Sequence, residues 1–245
     1  MKTKKAINYV LSLGTILGLV YLVILNTPNP KMNFAAYKPY AFTLLTGFGW
    51  TILISFFIFF LSFILGFVMF FGAKIRFMYI KYLISHITNI MFGSPMLVVI
   101  IATYFFVGTA LQIYNKLFWG IVTLTVYFAP FMMKLFIGAF ESINRNQIVV
   151  CDIFGFSKFQ MYRYVILPQM FRIMLPPLSG NLATIVKSSS LLYLIGFNEF
   201  YYNITTVQSR TFAFTEGYIL MFIAYLVITI PLIKLTDYLE KKVAI

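Results

Sequence analysis

Lys187 stands inside a long apolar stretch and is followed at once by Ser188, Ser189 and Ser190. A cation with three successive hydroxyls can hold an anionic group or line a polar path. A charge buried in hydrocarbon is costly unless it is paired or hydrated, so this cluster is a functional candidate by default. Lys134 is the second cation in an apolar stretch. Two readings of it stand. Either it faces a wet cavity and attracts a carboxylate, or it extends its head to the lipid headgroups, because the stretch ends at Glu141.

Other reactive groups are sparse. The six acids are Glu141, Asp152, Glu199, Glu216, Asp237 and Glu240. None is expected deep in an apolar stretch, whereas a membrane protease, a di-metal enzyme or a proton-coupled carrier needs acidic or histidine groups there. Glu199 and Glu216 are expected in outer loops, solvated or touching an extracellular protein. Cys151 is the sole cysteine and His86 the sole histidine. Neither a disulfide nor a thiolate metal site can form within the chain. Cys151 reads as a small residue buried in a helix interface, and His86 as interfacial. No phosphate-cradling Gly-x-x-x-x-Gly-Lys and no nucleic-acid-binding motif occurs. The chain therefore reads as a non-enzyme without a metal or cofactor of its own.

The elements that must position these residues are membrane spans. The chain is 61% hydrophobic with a mean hydropathy of +0.91, and only 10% is charged. A soluble domain needs more polar surface. The fold expected is an all-α membrane protein of about six transmembrane helices, over residues 6–25, 43–71, 83–108, 117–140, 178–196 and 217–235, each near bilayer length. With the N-terminus inside, the inner segments hold Lys2, Lys4, Lys5, Lys74, Arg76, Lys81, Arg145, Lys158, Arg163, Arg172, Lys234, Lys241 and Lys242. The outer ones hold Lys31, Lys38, Lys116 and Arg210. This positive-inside asymmetry places both termini in the cytoplasm. Anionic headgroups account for the net charge of +13 without any nucleic acid. Residues 1–40 are expected to form a retained N-terminal anchor helix and external linker, because no small-residue cleavage site closely follows the first apolar run. Residues 41–245 form the main transmembrane domain. Tyr193, Tyr201, Tyr202 and Tyr218 mark an outer interfacial belt.

Between the fourth and fifth spans lies a long polar loop, residues 141–177, rich in helix signals. Asn146 can cap a helix over 147–154 that ends at Gly155 in the left-handed conformation. Ser157 with Gln160 is a capping-box pair for a second helix. Pro168 should stop that helix near Leu167. Pro168 can then open a third helix, and Pro176-Pro177 the next span. A loop this long and structured reads as a docking surface.

The order of these signals resembles the permease subunit of ATP-binding-cassette importers, in the polar amino acid branch. Gln147, Gly155, Ile166-Leu167-Pro168-Gln169, Arg172 and Leu175-Pro176-Pro177 match the family's cytoplasmic Glu-Ala-Ala loop. Val186-Lys187-Ser188-Ser189-Ser190-Leu191 and Ile195-Gly196 with Glu199 are similar to its Leu-Lys-Asp-Thr-Ser-Leu and Ile-Gly segment. Gly93-Ser94-Pro95-Met96-Leu97-Val98 resembles its Arg-Gly-Thr-Pro-Leu-Leu-Val. The resemblance implies a five-helix core, to which the first helix is an addition. It also implies two ATPase subunits that bind ATP and Mg, a second permease, an external substrate-binding protein and a bacterial cytoplasmic (inner) membrane. Coupling to the ATPase would run through Gln147, Ile148, Val149, Val150, Cys151, Asp152, Ile153, Phe154 and Gly155. Lys187, Ser188, Ser189, Ser190, Lys134 and Ser94 are the candidates for a substrate path.

The chain departs from the family where it bears on mechanism. Val149-Val150-Cys151 replaces Glu-Ala-Ala, and Phe92, Lys134, Ile137 and Ser188 stand at positions that are polar or oppositely charged in relatives. These departures suggest one half of a heterodimer whose other permease keeps the regular signature. The alternative is a non-transporting membrane subunit that retains the docking loop for assembly or sensing.

Overall fold

A computed structural model describes residues 32–243, together with positions 7, 11, 12, 14, 15, 18, 19, 21, 22, 25 and 26. Half of the span expected over 6–25 therefore lies outside the described residues, which contain no strand. A 3-10 run over Phe34–Tyr40 leads into α1 (Ala41–Lys74), followed by α2 (Met78–Gly93) and α3 (Met96–Ala102), which runs on through Gly108 as a π-type turn. Then come α4 (Lys116–Glu141), α5 (Arg145–Ile153), α6 (Lys158–Met161), α7 (Leu167–Ser189), α8 (Phe200–Thr211) and α9 (Phe214–Val243).

Among the described residues, Phe34–Lys74, Lys116–Glu141 and Phe214–Lys242 are long and apolar enough to cross a bilayer. A bent pair, Met78–Gly93 with Met96–Gly108, makes a fourth if it counts as one broken span. Two expectations are corrected here. The span over 83–108 is not one rod but turns by 112° at Ser94-Pro95. Pro95 pushes Ser94 out of the helical region, and both residues are extended. The span over 178–196 does not open at Pro176-Pro177. Both prolines lie inside α7, which begins at Leu167 and passes into a 3-10 run at Ser190–Ile195. With Arg172 and Lys187 in it, α7 falls short of the apolar length that marks the other spans.

α1 and α4 form the spine. A Cβ on Gly66 would lie 2.5 Å from Met132 Cβ and 2.8 Å from the Ala129 carbonyl oxygen, so only glycine lets the two backbones approach this closely. Ile54, Ile58 and Phe70 of α1 are fully buried against Leu124, Met132 and Phe136 of α4, with Met170, Met174 and Ile185 of α7 closing the core. At one end of the spine an aromatic ladder carries the packing onward. Phe63, Phe67 and Phe70 surround Phe136 at centroid distances of 5.0, 5.2 and 5.8 Å, and Phe140 stacks on Tyr162 at 6.3 Å. The other end is tied by polar bonds. Tyr37 Oη donates to the Ala213 carbonyl at 2.8 Å, Lys116 Nζ to that of Gly196 at 3.1 Å, and Asn203 Nδ2 to that of Thr43 at 2.9 Å. The outward faces of α1 and α9 are apolar. Phe57, Phe60, Ile64 and Val68 on one, and Phe222, Val227 and Ile230 on the other, form exposed stripes suited to lipid.

Candidate functional site

The end of the bundle beyond the aromatic ladder carries α5. Its N-cap is Asn144, whose side chain accepts from the Asn146 N–H at 2.9 Å, so the cap lies two residues before the Asn146 expected from sequence. Its C-terminus follows the sequence expectation. Gly155 is left-handed at φ 72°, the Phe156 N–H reaches the Cys151 carbonyl at 3.0 Å, and the Gly155 N–H reaches that of Asp152 at 3.1 Å. This pair of bonds is a Schellman close, which needs a residue at ease with positive φ. The capping box of α6 also forms, with Gln160 N–H to Ser157 Oγ at 3.2 Å and Ser157 N–H to Gln160 Oε1 at 2.9 Å. The stop expected at Leu167 does not occur. A π-type turn over Tyr162–Ile166 joins α6 to α7 without a break. That wider turn accommodates Pro168, which has no N–H to give and whose ring crowds the carbonyl a turn earlier.

α5 has two faces. Ile148 and Cys151 turn inward, and Cys151, only 6% exposed, is part of the core, as the packing reading of it requires. Val149, Val150, Ile153 and Phe154 point away from the bundle, with 47–75% of their surface exposed. Asp152 is exposed among them. A groove of about 390 Å³ runs beside the helix, lined by Asn146, Gln147, Val150, Cys151, Phe154, Phe156 and Val165. Sequence reasoning missed one tie. Gln169 Nε2 donates to Gln147 Oε1 at 2.7 Å and to the Val165 carbonyl at 2.9 Å, fastening the start of α5 to the start of α7.

The path candidates are only partly brought together. Lys187, itself exposed, and Ser190 line an open recess of about 340 Å³ with Tyr201, Tyr218, Met221, Phe222 and Tyr225. Ser189 is buried and Ser188 half-buried, and neither lines it. Ser189 Oγ donates to the Val186 carbonyl at 2.8 Å, and Ser190 Oγ to that of Lys187 at 2.7 Å. Lys134 is exposed on α4, away from this recess. Ser94 sits at the 112° bend, where its carbonyl accepts from Tyr127 Oη at 3.3 Å.

Glu199 overturns the expectation of a solvated loop acid, being completely buried. Its Oε1 accepts from the Tyr202 N–H at 2.8 Å. Its Oε2 accepts from the Tyr201 N–H at 2.9 Å, from Thr51 Oγ1 at 3.2 Å and from Tyr225 Oη at 3.3 Å. The carboxylate thus caps α8 and binds it to α1 and α9. Burial pushes the carboxyl up to about 7, against the opposite pull of those four donors. A local signal was present, since an acid directly before Phe200-Tyr201-Tyr202 is a natural N-cap. Glu216 is also buried rather than solvated, and accepts the Asn33 N–H.

A tethered amphipathic helix at one end of a kinked helical bundle is the arrangement that comparison with known proteins meets. Residues 70–245 match the family model described as binding-protein-dependent transport system inner membrane component. The chain belongs to this family. It is a transmembrane permease subunit of an ATP-binding-cassette transporter, built as an all-α, multi-pass membrane protein. It is 33% identical over 123 residues to the probable glutamine ABC transporter permease protein GlnM of Bacillus subtilis, a match covering 50% of this chain and 57% of the relative. It is 26% identical over 219 residues to the probable amino-acid ABC transporter permease protein YckA of the same species, covering 88% of this chain and 94% of the relative. The chain thus spans little more than half of the first relative and nearly all of the second. A crystal structure of an amino acid ABC transporter superposes with a TM-score of 0.79 at 21% identity, over 86% of this chain and 99% of its own, which establishes the shared fold.

Proposed function

We propose that this permease forms half of the translocation path of an importer for amino acids or similar small polar solutes, and that α5 is where ATP-driven motion enters it. The observation that carries the reading is the division of α5 into an inward face, Ile148 and Cys151, and an outward apolar face, Val149, Val150, Ile153 and Phe154. An apolar face left in solvent is costly and marks a contact surface. The inward face, with the Gln147–Gln169 bond and the Phe140–Tyr162 stack, makes α5 a lever rather than a tether.

In this reading α5 lies on the cytoplasmic side of a bacterial inner membrane, as the distribution of Lys and Arg requires. Two ATPase subunits carry ATP and Mg and receive α5 in a groove. Their closure displaces α5, and the rigid connection through α7 and the aromatic ladder tilts the spans. A second permease completes the path, a different but related chain, because Phe92 and Ile137 stand at positions that the resemblance to the family pattern makes polar. An external binding protein delivers the solute. The names of the relatives, which concern glutamine and other amino acids, support the solute class.

The test is purification of the tagged chain from its native membrane, followed by uptake of labelled amino acids in proteoliposomes. An ATPase and a second permease should co-purify, and uptake should require ATP. Recovery of the ATPase without any uptake would favour a non-transporting docking subunit.

A further inference from the structure

We propose that residues 6–25 pack antiparallel along α1 and fill a recess on its outward face. The recess is open, about 480 Å³, and lined by Gly49, Ile52, Leu53, Phe56, Phe57 and Phe60, with no polar side chain among them. Spacings of three and four residues put this set on one side of the helix. A Cβ on Gly49 would meet nothing within 4 Å, so the α1 backbone itself is open to a neighbour at that level. On the other side of α1, Thr51, Ile54 and Ser55 are buried in the bundle.

The same chain supplies an occupant of matching character. Residues 6–30 carry no charge. The positions described within 7–25 are helical, and each is exposed. Ile7, Leu11, Leu19, Tyr21, Leu22 and Leu25 leave 54–65% of their surface uncovered. Gly14 and Gly18 are bare too, with nothing within 4 Å of an added Cβ. Glycines four apart in a membrane helix let a second backbone come close, where packing and not hydrophobicity drives association.

The connection decides where this segment goes. At the end of the bundle opposite α5, the Asn33 N–H donates to the buried Glu216 near the start of α9. From there a 3-10 run over Phe34–Tyr40 delivers the chain to α1. Residues 26–32 join position 25 to this pin and reach at most about 25 Å when extended. The segment must therefore run beside α1 or α9. α9 presents Tyr218 and the open recess with Lys187, Ser190 and Tyr201, whereas the recess of α1 is wholly apolar. An uncharged segment suits the second.

Depth agrees with that choice. At 1.5 Å per residue, Gly18 lies about 11 Å from the level of Leu25, and Gly49 about 12 Å from that of Ala41. The bare glycines thus meet at one level. The same register sets Gly14 opposite Leu53, Leu11 opposite Phe56 and Ile7 opposite Phe60. It leaves Lys2, Lys4 and Lys5 beyond the recess, at the end that carries Arg145 and Lys158. Ile64 and Val68, farther along the α1 stripe, stay with lipid.

The experiment is disulfide cross-linking of the full chain in its native membrane, with Cys151→Ser as background and copper phenanthroline as oxidant. A protease site inserted between residues 27 and 28 lets an intrachain bond be read as fragments that stay joined until reduced. The pairs Gly18→Cys with Gly49→Cys and Ile7→Cys with Phe60→Cys should link. The second pair leaves every glycine in place, so it still reports if Gly18→Cys disturbs packing. The crossed pairs, Gly18→Cys with Phe60→Cys and Ile7→Cys with Gly49→Cys, are displaced by about 16 Å and should link at least tenfold less. Equal yields in matched and crossed pairs would overturn the proposal, because the segment then wanders in lipid. So would bonds that form only between chains, read as a dimer or as a link to another protein, or no bond in either matched pair.

Discussion

Two single residues concentrate strain or charge. Gly155 holds φ at 72° with open space around its Cβ position, so a substitution there meets conformational strain and no clash. Gly155→Val should cost about 1–2 kcal/mol locally and undo the Schellman close. Thermal unfolding of the bundle should change little while ATP-driven uptake falls sharply; unchanged uptake would place the lever elsewhere. Glu199 answers to burial instead. Glu199→Ala orphans two backbone N–H groups and two hydroxyls and should cost about 2–4 kcal/mol, from a lost cap and unpaired buried donors. Because its carboxyl is raised from 4.5 to about 7, the folded chain holds that proton more tightly than the unfolded chain. Stability should therefore decrease as pH rises from about 4.5 to about 7. Denaturation midpoints measured across that window should slope downward in the wild type and lie nearly flat in Glu199→Gln. The acid was visible in the sequence but its burial was not, because the enclosing groups, Thr51 and Tyr225, are 148 and 26 residues away.

At the scale of elements, what is local was legible. The left-handed glycine after α5 and the Ser157–Gln160 capping box follow from short-range hydrogen bonding, and both stand where the residue types point. The cap of α5 was placed at Asn146 instead of Asn144 because two asparagines offer the same chemistry two residues apart. The 112° turn at Ser94-Pro95 was missed because hydropathy reports composition and not direction, although Gly93, Ser94 and Pro95 were in view. The π-type turn over Tyr162–Ile166 has no comparable local signature, and it alone turns an expected stop at Pro168 into one continuous rod. Such continuity is what the proposed transmission requires. Gln169→Leu removes the bond to Gln147 and should cost only about 0.5–1.5 kcal/mol. It should nevertheless raise the amide exchange rate of α5 and lower the uptake obtained per ATP hydrolysed. Protected amides with full uptake would show that the inward face alone holds the lever.

Across the whole molecule, the proposed lever acts through a rigid spine. Gly66 sets the spacing of α1 and α4, and any side chain there must drive the two apart. Gly66→Leu should destabilise the chain by about 1–3 kcal/mol or more, read as a lower melting point and reduced recovery from the membrane. Fold class and family were readable from composition and from the order of motifs, which residues 70–245 match. The tie between α1, α8 and α9 at Glu199, and the recess beside it, were not, because they join parts of the chain that no sequence window contains.

The central claim, that nucleotide-driven force enters through α5, is tested most directly by a cross-link. With Cys151 replaced by Ser to remove the only native thiol, Phe154→Cys places a reactive group on the exposed face of α5. In inner-membrane vesicles, a short bifunctional maleimide should join this cysteine to an ATPase subunit, with a yield that changes when ATP is added. Labelling of the cysteine only from the outer face of the membrane, or cross-linking to no nucleotide-hydrolysing protein, would contradict the account.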